Sequence, residues 1–74
     1  MRWEDIIGGN VRRLRRERRF SQEELAHRSG MSMRYLAGVE RGEENPSLGF
    51  LVKLAEALDV KPGQLFDDNT GNAG

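Results

Sequence analysis

Residues 21–42 read SQEELAHRSGMSMRYLAGVERG, and this stretch contains two short helix signals separated by a glycine. Ser21 begins the first helix, because its hydroxyl oxygen can accept a hydrogen bond from the amide of Glu24. The Glu24 carboxylate is expected to reach back to the serine amide and complete a capping box. Gly30 ends this helix, since glycine adopts positive φ without a steric penalty. The pattern therefore predicts a short helix between Ser21 and Gly30.

A second helix follows after a connection of only about three residues. Ser32 caps it, and it runs from about Met33 to Glu40. Leu36 and Val39 form its inward pair, because residues at this spacing share one helix face. Ala26 in the first helix is small enough for the second helix to cross closely. Two such helices joined by a tight turn indicate a helix-turn-helix, although many helical hairpins share the spacing.

The segment before this pair predicts a longer helix from about Trp3 to Arg18. Its apolar residues recur at helical spacing and form one face: Trp3, Ile7, Val11 and Leu14. Gly8 and Gly9 each weaken a helix by roughly 1 kcal/mol relative to alanine. Two glycines at this point indicate either close packing against another element or a frayed helix start.

The segment after the pair predicts a fourth helix and a final turn. Ser47 caps the fourth helix, whose apolar stripe comprises Leu48, Leu51, Val52, Ala55 and Leu58. Pro62 starts a short last turn of helix through Phe66. Residues 67–74 are polar and glycine-rich, which is typical of a disordered tail. We therefore expect one all-α domain, residues 1–66, ahead of that tail.

Composition excludes several classes of protein. The chain has 74 residues, a mass of 8.4 kDa and no cysteine, so we expect one small domain without disulfides or thiolate metal sites. No apolar run approaches the ~20 residues that a membrane span requires, and we expect a cytoplasmic protein that binds no membrane. His27 is the only histidine, and no glycine-rich phosphate motif is present. We therefore expect no enzyme activity, metal, cofactor or small-molecule ligand.

The formal net charge is zero, but the charges are distributed unevenly along the chain. Residues 1–20 contain seven arginines against three acidic residues, whereas residues 43–74 contain two lysines against six acidic residues. Such an asymmetry favours a polyanionic partner. A solvated arginine-rich helix face would produce the same pattern, so charge alone leaves both interpretations open.

The identities of the residues are more specific than their spacing. Several segments share the pattern of one family: Ile7-Gly8, Val11-Arg12-Arg13-Leu14-Arg15, Ser21-Gln22-Glu23-Glu24-Leu25-Ala26, Gly30, Leu36, Val39-Glu40-Arg41-Gly42, Asn45-Pro46-Ser47 and Leu54-Ala55-Glu56-Ala57-Leu58. On these residues the chain resembles the phage-repressor/Cro-type family, also called the XRE family, over nearly its whole length. Residues 35–42 look especially similar to the stand-alone controller proteins of restriction–modification systems.

The resemblance implies a five-helix, lambda-repressor-like DNA-binding domain with the helix-turn-helix at helices 2 and 3. It implies a sequence-specific transcriptional regulator whose helix 3 enters the major groove of double-stranded DNA. Members of the family usually bind as two-fold dimers. The resemblance therefore implies a homodimer on a palindromic operator with half-sites about 34 Å apart.

The resemblance and the helical wheel together suggest the DNA contacts. Arg34 ranks first as a base reader, because arginine can donate to guanine O6 and N7 in a bidentate way. The full set of base-contact candidates is Arg34, Met33, Tyr35, Ala37 and Gly38. Gln22 stands at the amino end of helix 2, where a phosphate can bind. The full set of phosphate-contact candidates is Gln22, Ser32, Arg41, Asn45 and Arg12.

Two further sets of residues follow from the same resemblance. Arg15 and Glu40 match a pair that forms a buried ion pair in similar proteins, and it would tie helix 1 to helix 3. The dimer-patch candidates, which otherwise complete the monomer core, are Val60, Leu65, Phe66 and Phe50. Glu43 and Glu44 depart from the family, whose members often carry basic residues there. Their charges shift the electrostatic contribution toward helix 1, where the candidates are Arg12, Arg13, Arg16 and Arg19.

Two other functions stay open at this point. A protein-interaction module, such as an antitoxin that neutralises a partner, would use the same fold. Non-specific nucleic-acid binding by the arginine-rich helix would depend steeply on salt and show no sequence preference. Both differ from the regulator hypothesis in one respect, because neither requires Arg34 to discriminate between base pairs.

Overall fold

The computed structural model describes residues 2–68, and this part of the chain is helical without a β-strand. It contains four α-helices: α1 (Trp3–Glu17), α2 (Gln22–Ser29), α3 (Met33–Glu40) and α4 (Leu48–Leu58). The all-α class is confirmed, but the expected fifth helix is a 3₁₀ turn, Pro62–Phe66. Because this segment has only five residues and begins with proline, the tighter 3₁₀ hydrogen bonds suit it better than an α-helix.

Serine side chains begin three of the helices, as the sequence predicts. Backbone amides three residues later donate to their hydroxyl oxygens at 3.0–3.2 Å: Ser21, Ser32 and Ser47. Gly30 ends α2 in the left-handed region with a φ of 73°. The Glu24 carboxylate, expected to complete a capping box, instead accepts a hydrogen bond from Arg28 Nε at 2.6 Å. This pairing joins residues on successive turns of the same helix.

One apolar core joins all the helical segments. Its largest fully buried side chains come from every helix and from the 3₁₀ turn: Val11, Leu25, Leu36, Val39, Leu54, Leu58 and Leu65. α1 packs against α3 and the 3₁₀ turn, while α2 packs against α3 and α4. α3 is therefore held on two sides, and its orientation depends on both neighbours.

Two apolar residues that the helical patterns place inward lie at the surface instead. Trp3 is 56% exposed and Leu48 is 72% exposed. Both are the first residue of their helix, where the periodic face continues but the core beneath it has ended. Leu54, which the predicted stripe of α4 omits, is fully buried. The Trp3 ring packs edge-on against Phe66, with the two ring centroids 6.2 Å apart.

Asn10 ties the 3₁₀ turn to α1. Its side-chain Nδ2 donates to the carbonyl oxygens of Leu65 at 2.9 Å and Asp67 at 2.8 Å. These bonds hold the turn against the core, and Leu65 is 0% exposed. Leu65 therefore completes the monomer core, which is the alternative to its place in a dimer patch. No local pattern in the sequence points to Asn10, because its two acceptors lie at the other end of the chain.

The expected tail at residues 67–74 lies mostly outside the described residues, as does Met1. Asp67 and Asp68 are described, and both are exposed and outside any helix. Within residues 2–68, no helix combines the length and apolar character needed to cross a membrane.

Gly8 allows α1 to approach α3 closely. It is buried, and a β-carbon at this position would lie 2.8 Å from the carbonyl oxygen of Glu40. Backbone atoms cannot move aside as a flexible side chain does, so only glycine fits. Close packing, one of the two explanations for the glycine pair, is confirmed for Gly8. Gly9 faces solvent, and a β-carbon there would meet nothing within 4 Å.

Gly8→Ala is expected to lower the free energy of unfolding by about 1–3 kcal/mol, because the added β-carbon forces α1 away from α3. Gly9→Ala is the matched control. It is expected to raise the free energy of unfolding by up to about 1 kcal/mol, since alanine is the better helix former at an exposed position. Urea denaturation followed by circular dichroism measures both changes. Equal effects of the two substitutions would contradict the close helix contact.

Candidate nucleic-acid interface

α3 has one face in the core and the opposite face toward solvent. Leu36 and Val39 are fully buried on the inward face, together with Glu40. At about 100° per residue, three residues lie opposite this buried set: Arg34, Gly38 and Arg41. Three others flank them: Met33, Tyr35 and Ala37. We call these six residues the outward face of α3.

Arg34 is exposed on the outward face, and within residues 2–68 no ion pair or hydrogen bond engages its guanidinium group. Seven other arginines do form ion pairs: Arg2, Arg12, Arg13, Arg15, Arg18, Arg28 and Arg41. Met33 precedes Arg34 and is 52% exposed. The amino-terminal half of the outward face therefore presents an available cationic donor beside an apolar side chain.

Tyr35 packs against α4. Its ring centroid lies 5.5 Å from that of Phe50, with the planes tilted by 41°. Burial raises the pKa of the Tyr35 hydroxyl, and the nearby Glu44 carboxylate raises it further. Lys53 Nζ lies 5.6 Å from the centroid of the same Phe50 ring. Phe50 is therefore engaged within the monomer, which leaves less of its surface for a dimer contact.

The two small residues of α3 differ in exposure. Ala37 is half-buried, whereas Gly38 is buried. A β-carbon at Gly38 would lie 2.8 Å from Glu44 Cγ and 3.4 Å from Glu44 Oε2. The Glu44 side chain therefore covers Gly38, and a base contact at Gly38 stays a prediction.

The loop after α3 is acidic, and one of its two carboxylates is paired. Arg41 Nη2 donates to Glu43 Oε1 at 2.9 Å, and both side chains are more than half exposed. This hydrogen bond, together with the charge of Arg41, lowers the pKa of Glu43. Asn45 and Ser32 are exposed near the two ends of α3, where phosphate contacts are expected.

Glu40 is a buried carboxylate with donors from two other helices. Its side chain is 0% exposed, and Arg15 holds it in a bidentate pair, with Nε 2.7 Å from Oε2 and Nη2 3.0 Å from Oε1. Gln22 Nε2 donates to Oε1 at 2.9 Å. Arg12 Nε lies 3.6 Å from the same oxygen. The ion pair that the family resemblance implied is present, and two further residues join it.

Gln22 and Arg12 are phosphate-contact candidates, and the structure places both side chains against Glu40. Gln22 is the first residue of α2, so its bond connects the start of α2 to the end of α3. The Arg12 side chain is 43% exposed and retains a solvent-facing side. No local pattern in the sequence predicts this shared role, because the contacts join residues that are distant in the chain.

Burial by itself would raise the pKa of the Glu40 carboxyl group. Hydrogen bonds from Arg15 and Gln22 outweigh that effect, with help from the positive charges of Arg15 and Arg12. The net result is a pKa below the usual range for glutamate. The carboxylate is therefore ionised in the folded protein at neutral pH.

No group of three or more histidine, cysteine, aspartate or glutamate side chains within residues 2–68 is arranged to hold a metal ion. His27 lies exposed on α2, as the sequence predicts.

A family model described as helix-turn-helix matches residues 11–65 of this chain. The match begins within α1 and ends within the 3₁₀ turn, so it includes α2, α3 and Glu40 with its partners. An uncharacterised HTH-type transcriptional regulator of Sinorhizobium fredii, y4dJ, is 47% identical over 60 residues. That alignment covers 81% of this chain and 78% of y4dJ.

Two solved structures are also similar to this chain. The crystal structure of the restriction–modification controller protein C.AhdI from Aeromonas hydrophila matches with a TM-score of 0.83 at 46% identity, covering 85% of this chain and 96% of that one. The biofilm regulator SinR in complex with DNA matches with a TM-score of 0.79 at 39% identity, covering 82% and 98%. SinR of Bacillus subtilis is longer than this chain, which spans 58% of it.

Arg15→Met or Glu40→Gln alone is expected to lower the free energy of unfolding by about 3–5 kcal/mol. The first leaves Glu40 with only the longer contact to Arg12 as an ion pair, and the second leaves Arg15 without an acidic partner. The double variant is expected to lose less than the sum of the two single losses. Urea denaturation of all four proteins measures the coupling energy. Arg18→Met, which removes an exposed pair with Asp59, is the control and should cost no more than about 1 kcal/mol. Additive losses at Arg15 and Glu40 would contradict a coupled pair.

The lowered pKa of Glu40 makes stability depend on acidity. The contacts of its ionised carboxylate stabilise the fold above the ordinary pKa of 4.5, and this contribution is lost as the pH falls through the lower folded value. We expect the free energy of unfolding to fall between about pH 5 and pH 2. It should fall less steeply in Glu40→Gln, which has no proton to gain there. Denaturation curves at several pH values test this, and parallel slopes for the two proteins would count against it.

Proposed function

The chain belongs to the helix-turn-helix family, and from that membership we propose that it is a sequence-specific DNA-binding transcriptional regulator. In this proposal α3 lies in the major groove, with its outward face toward the base pairs. The observation that carries the proposal is Arg34, an exposed arginine without an acidic partner among the described residues. Such a side chain is available to a ligand, whereas most arginines of this chain already form an ion pair with an acidic side chain.

Arg34 is suited to guanine, since its guanidinium group can donate to O6 and N7 together. Met33 stands beside it at 52% exposure and offers an apolar contact to a thymine methyl group. Tyr35 and Ala37 flank the same face and complete the base-contact set that we propose. Gly38, which Glu44 covers, remains in the proposed set as the small residue of this face.

Phosphate contacts are proposed at the ends of the two helices of the motif. Gln22 offers its backbone amide at the positive end of α2, while its side chain remains on Glu40. Ser32 and Asn45 are exposed at the two ends of α3, and Arg12 and Arg41 supply charge. Similarity to SinR supports DNA as the ligand, because SinR has been crystallised in complex with DNA.

A homodimer on a palindromic operator is the second part of the proposal. Trp3 and Phe66 form an exposed aromatic patch at 56% and 40% exposure, and Val60 is half-buried. Exposed aromatic side chains are frequent anchors of protein interfaces. We propose that this patch pairs two copies so that their α3 helices read half-sites about 34 Å apart.

Selection from a random duplex library at physiological salt is the direct test, and a recovered palindrome is the expected result. On the recovered operator, Arg34→Ala is expected to lose about 1–3 kcal/mol of discrimination at one base pair of each half-site. The reason is that the guanine donors disappear while the phosphate contacts remain. Titration of single-base-pair operator variants measures the loss.

Arg13→Ala is the control for charge, because Arg13 lies on α1 and is paired with Glu17. It should leave the order of preference among operator variants unchanged. A folded wild-type protein that enriches no sequence would refute the regulator proposal. Such a result would favour one of the two other functions, a protein-interaction module or non-specific nucleic-acid binding.

Phe66→Ala is expected to weaken dimerisation by about tenfold or more, because it removes an exposed aromatic anchor. Leu48→Ala is the matched control, since Leu48 is an exposed apolar residue outside the aromatic patch. Sedimentation equilibrium over a range of concentrations measures both dissociation constants. A wild-type protein that stays monomeric on its operator would contradict the dimer proposal, and so would equal effects of the two variants.

A further inference from the structure

Gly38 lies on the side of α3 opposite its buried set, although the residue itself is buried. It lies one helical turn after Arg34 on the outward face, and it has no side chain to offer. In a helix that enters the major groove, a position of this kind faces the base edges. The centre of the outward face therefore has no side chain of its own.

Glu44 fills this gap from the following loop. A β-carbon at Gly38 would lie 2.8 Å from Glu44 Cγ and 3.4 Å from Glu44 Oε2, so the acid lies where a side chain of residue 38 would begin. The Glu44 carboxylate also raises the pKa values of Tyr35 and Arg41, which lie on either side of Gly38 along the helix. The Glu44 side chain thus lies beside the outward face of α3, where it is exposed to solvent.

The backbone holds the loop in this position. Gly42 adopts a left-handed φ of 77°, and its amide donates to the Val39 carbonyl oxygen at 3.0 Å. The next amide, of Glu43, donates to the Gly38 carbonyl oxygen at 2.9 Å. This pair of bonds is the Schellman arrangement that commonly ends a helix. It turns the chain back over α3 and delivers Glu44 to Gly38.

The two acids of the loop have different surroundings. Glu43 is paired with Arg41 at 2.9 Å. Within residues 2–68, no ion pair or hydrogen bond engages the Glu44 carboxylate. Its acceptor oxygens are therefore available to a donor from outside the protein.

We infer that Glu44 reads a base in place of the missing side chain of Gly38 and selects cytosine at one position of each operator half-site. This inference rests on the proposed function. A carboxylate only accepts hydrogen bonds, and cytosine N4 is a major-groove amino donor. Guanine O6 and N7 and thymine O4 are acceptors, so they repel the same carboxylate. Adenine N6 is a donor as well, but the adjacent N7 acceptor repels the carboxylate, which leaves cytosine as the preferred base. Arg34, one helical turn before Gly38, donates hydrogen bonds and therefore prefers guanine. The outward face would thus present a donor for one base and an acceptor for another.

The test compares base preferences of the wild type with those of three variants on the selected operator. The wild type is expected to bind its cytosine operator about 5- to 150-fold more tightly than operators altered at that position. Glu44→Ala should lose this discrimination at that position and keep the one that depends on Arg34. Glu44→Gln should shift the preference toward adenine, because an amide can pair with adenine N6 and N7.

Gly38→Ala separates the position of the carboxylate from its charge. The new β-carbon displaces Glu44 from the helix surface while the net charge stays the same, so the cytosine preference should fall as it does in Glu44→Ala. Glu43→Gln is the matched control for the charge of the loop. It should change affinity by a similar factor for every operator, without altering the order of preference.

Two outcomes would overturn the inference. If Glu44→Ala strengthens binding to all operators equally, Glu44 acts only as an electrostatic brake on DNA binding. If Gly38→Ala keeps the cytosine preference, the location of Glu44 on α3 does not determine it. A wild-type protein without preference at any position refutes the proposed function itself, and this result is distinguishable because it does not depend on Glu44. Circular dichroism of each variant confirms that the fold is retained.

Discussion

The buried carboxylate of Glu40 needs donors on every side, and it obtains them from two other helices. Arg15 reaches it from α1 in a bidentate pair, and Gln22 reaches it from the first residue of α2. Desolvation offsets much of the attraction, so we attribute to this cluster the choice of one helix arrangement more than net stability. Gly8 makes the arrangement possible, because it lets the backbone of α1 lie close to the end of α3.

The contacts of Glu40 fix the orientation of α3, and this orientation also decides which residues of α3 face outward. Arg34 then projects into solvent, and the left-handed Gly42 returns the loop over the same helix. Most arginines in residues 1–20 pair with acids: Arg2, Arg12, Arg13, Arg15 and Arg18. Of these pairs, only that of Arg18 with Asp59 involves an acid of residues 43–74, so the charge asymmetry of the sequence persists in the fold.

Local signals in the sequence predicted the helices well. Serine caps and Gly30 act within a few residues of themselves, so the ends of α2 and the starts of α3 and α4 could be predicted without any tertiary information. Periodicity was less reliable at helix ends. Trp3 and Leu48 continue an apolar face, but no element covers them fully. The burial of Leu65 depends on Asn10, which lies at the opposite end of the chain.

The helix boundaries, the helix-turn-helix and the base-reading candidate Arg34 are readable from the chain, because caps, spacing and side-chain type are local properties. The partners of Glu40 beyond Arg15 are not, since they meet only after α1, α2 and α3 have packed. The same holds for the covering of Gly38 by Glu44, which depends on how the loop turns over α3. The spacing of residues along the sequence does not tell which distant residues meet, because those contacts form only when the helices pack together.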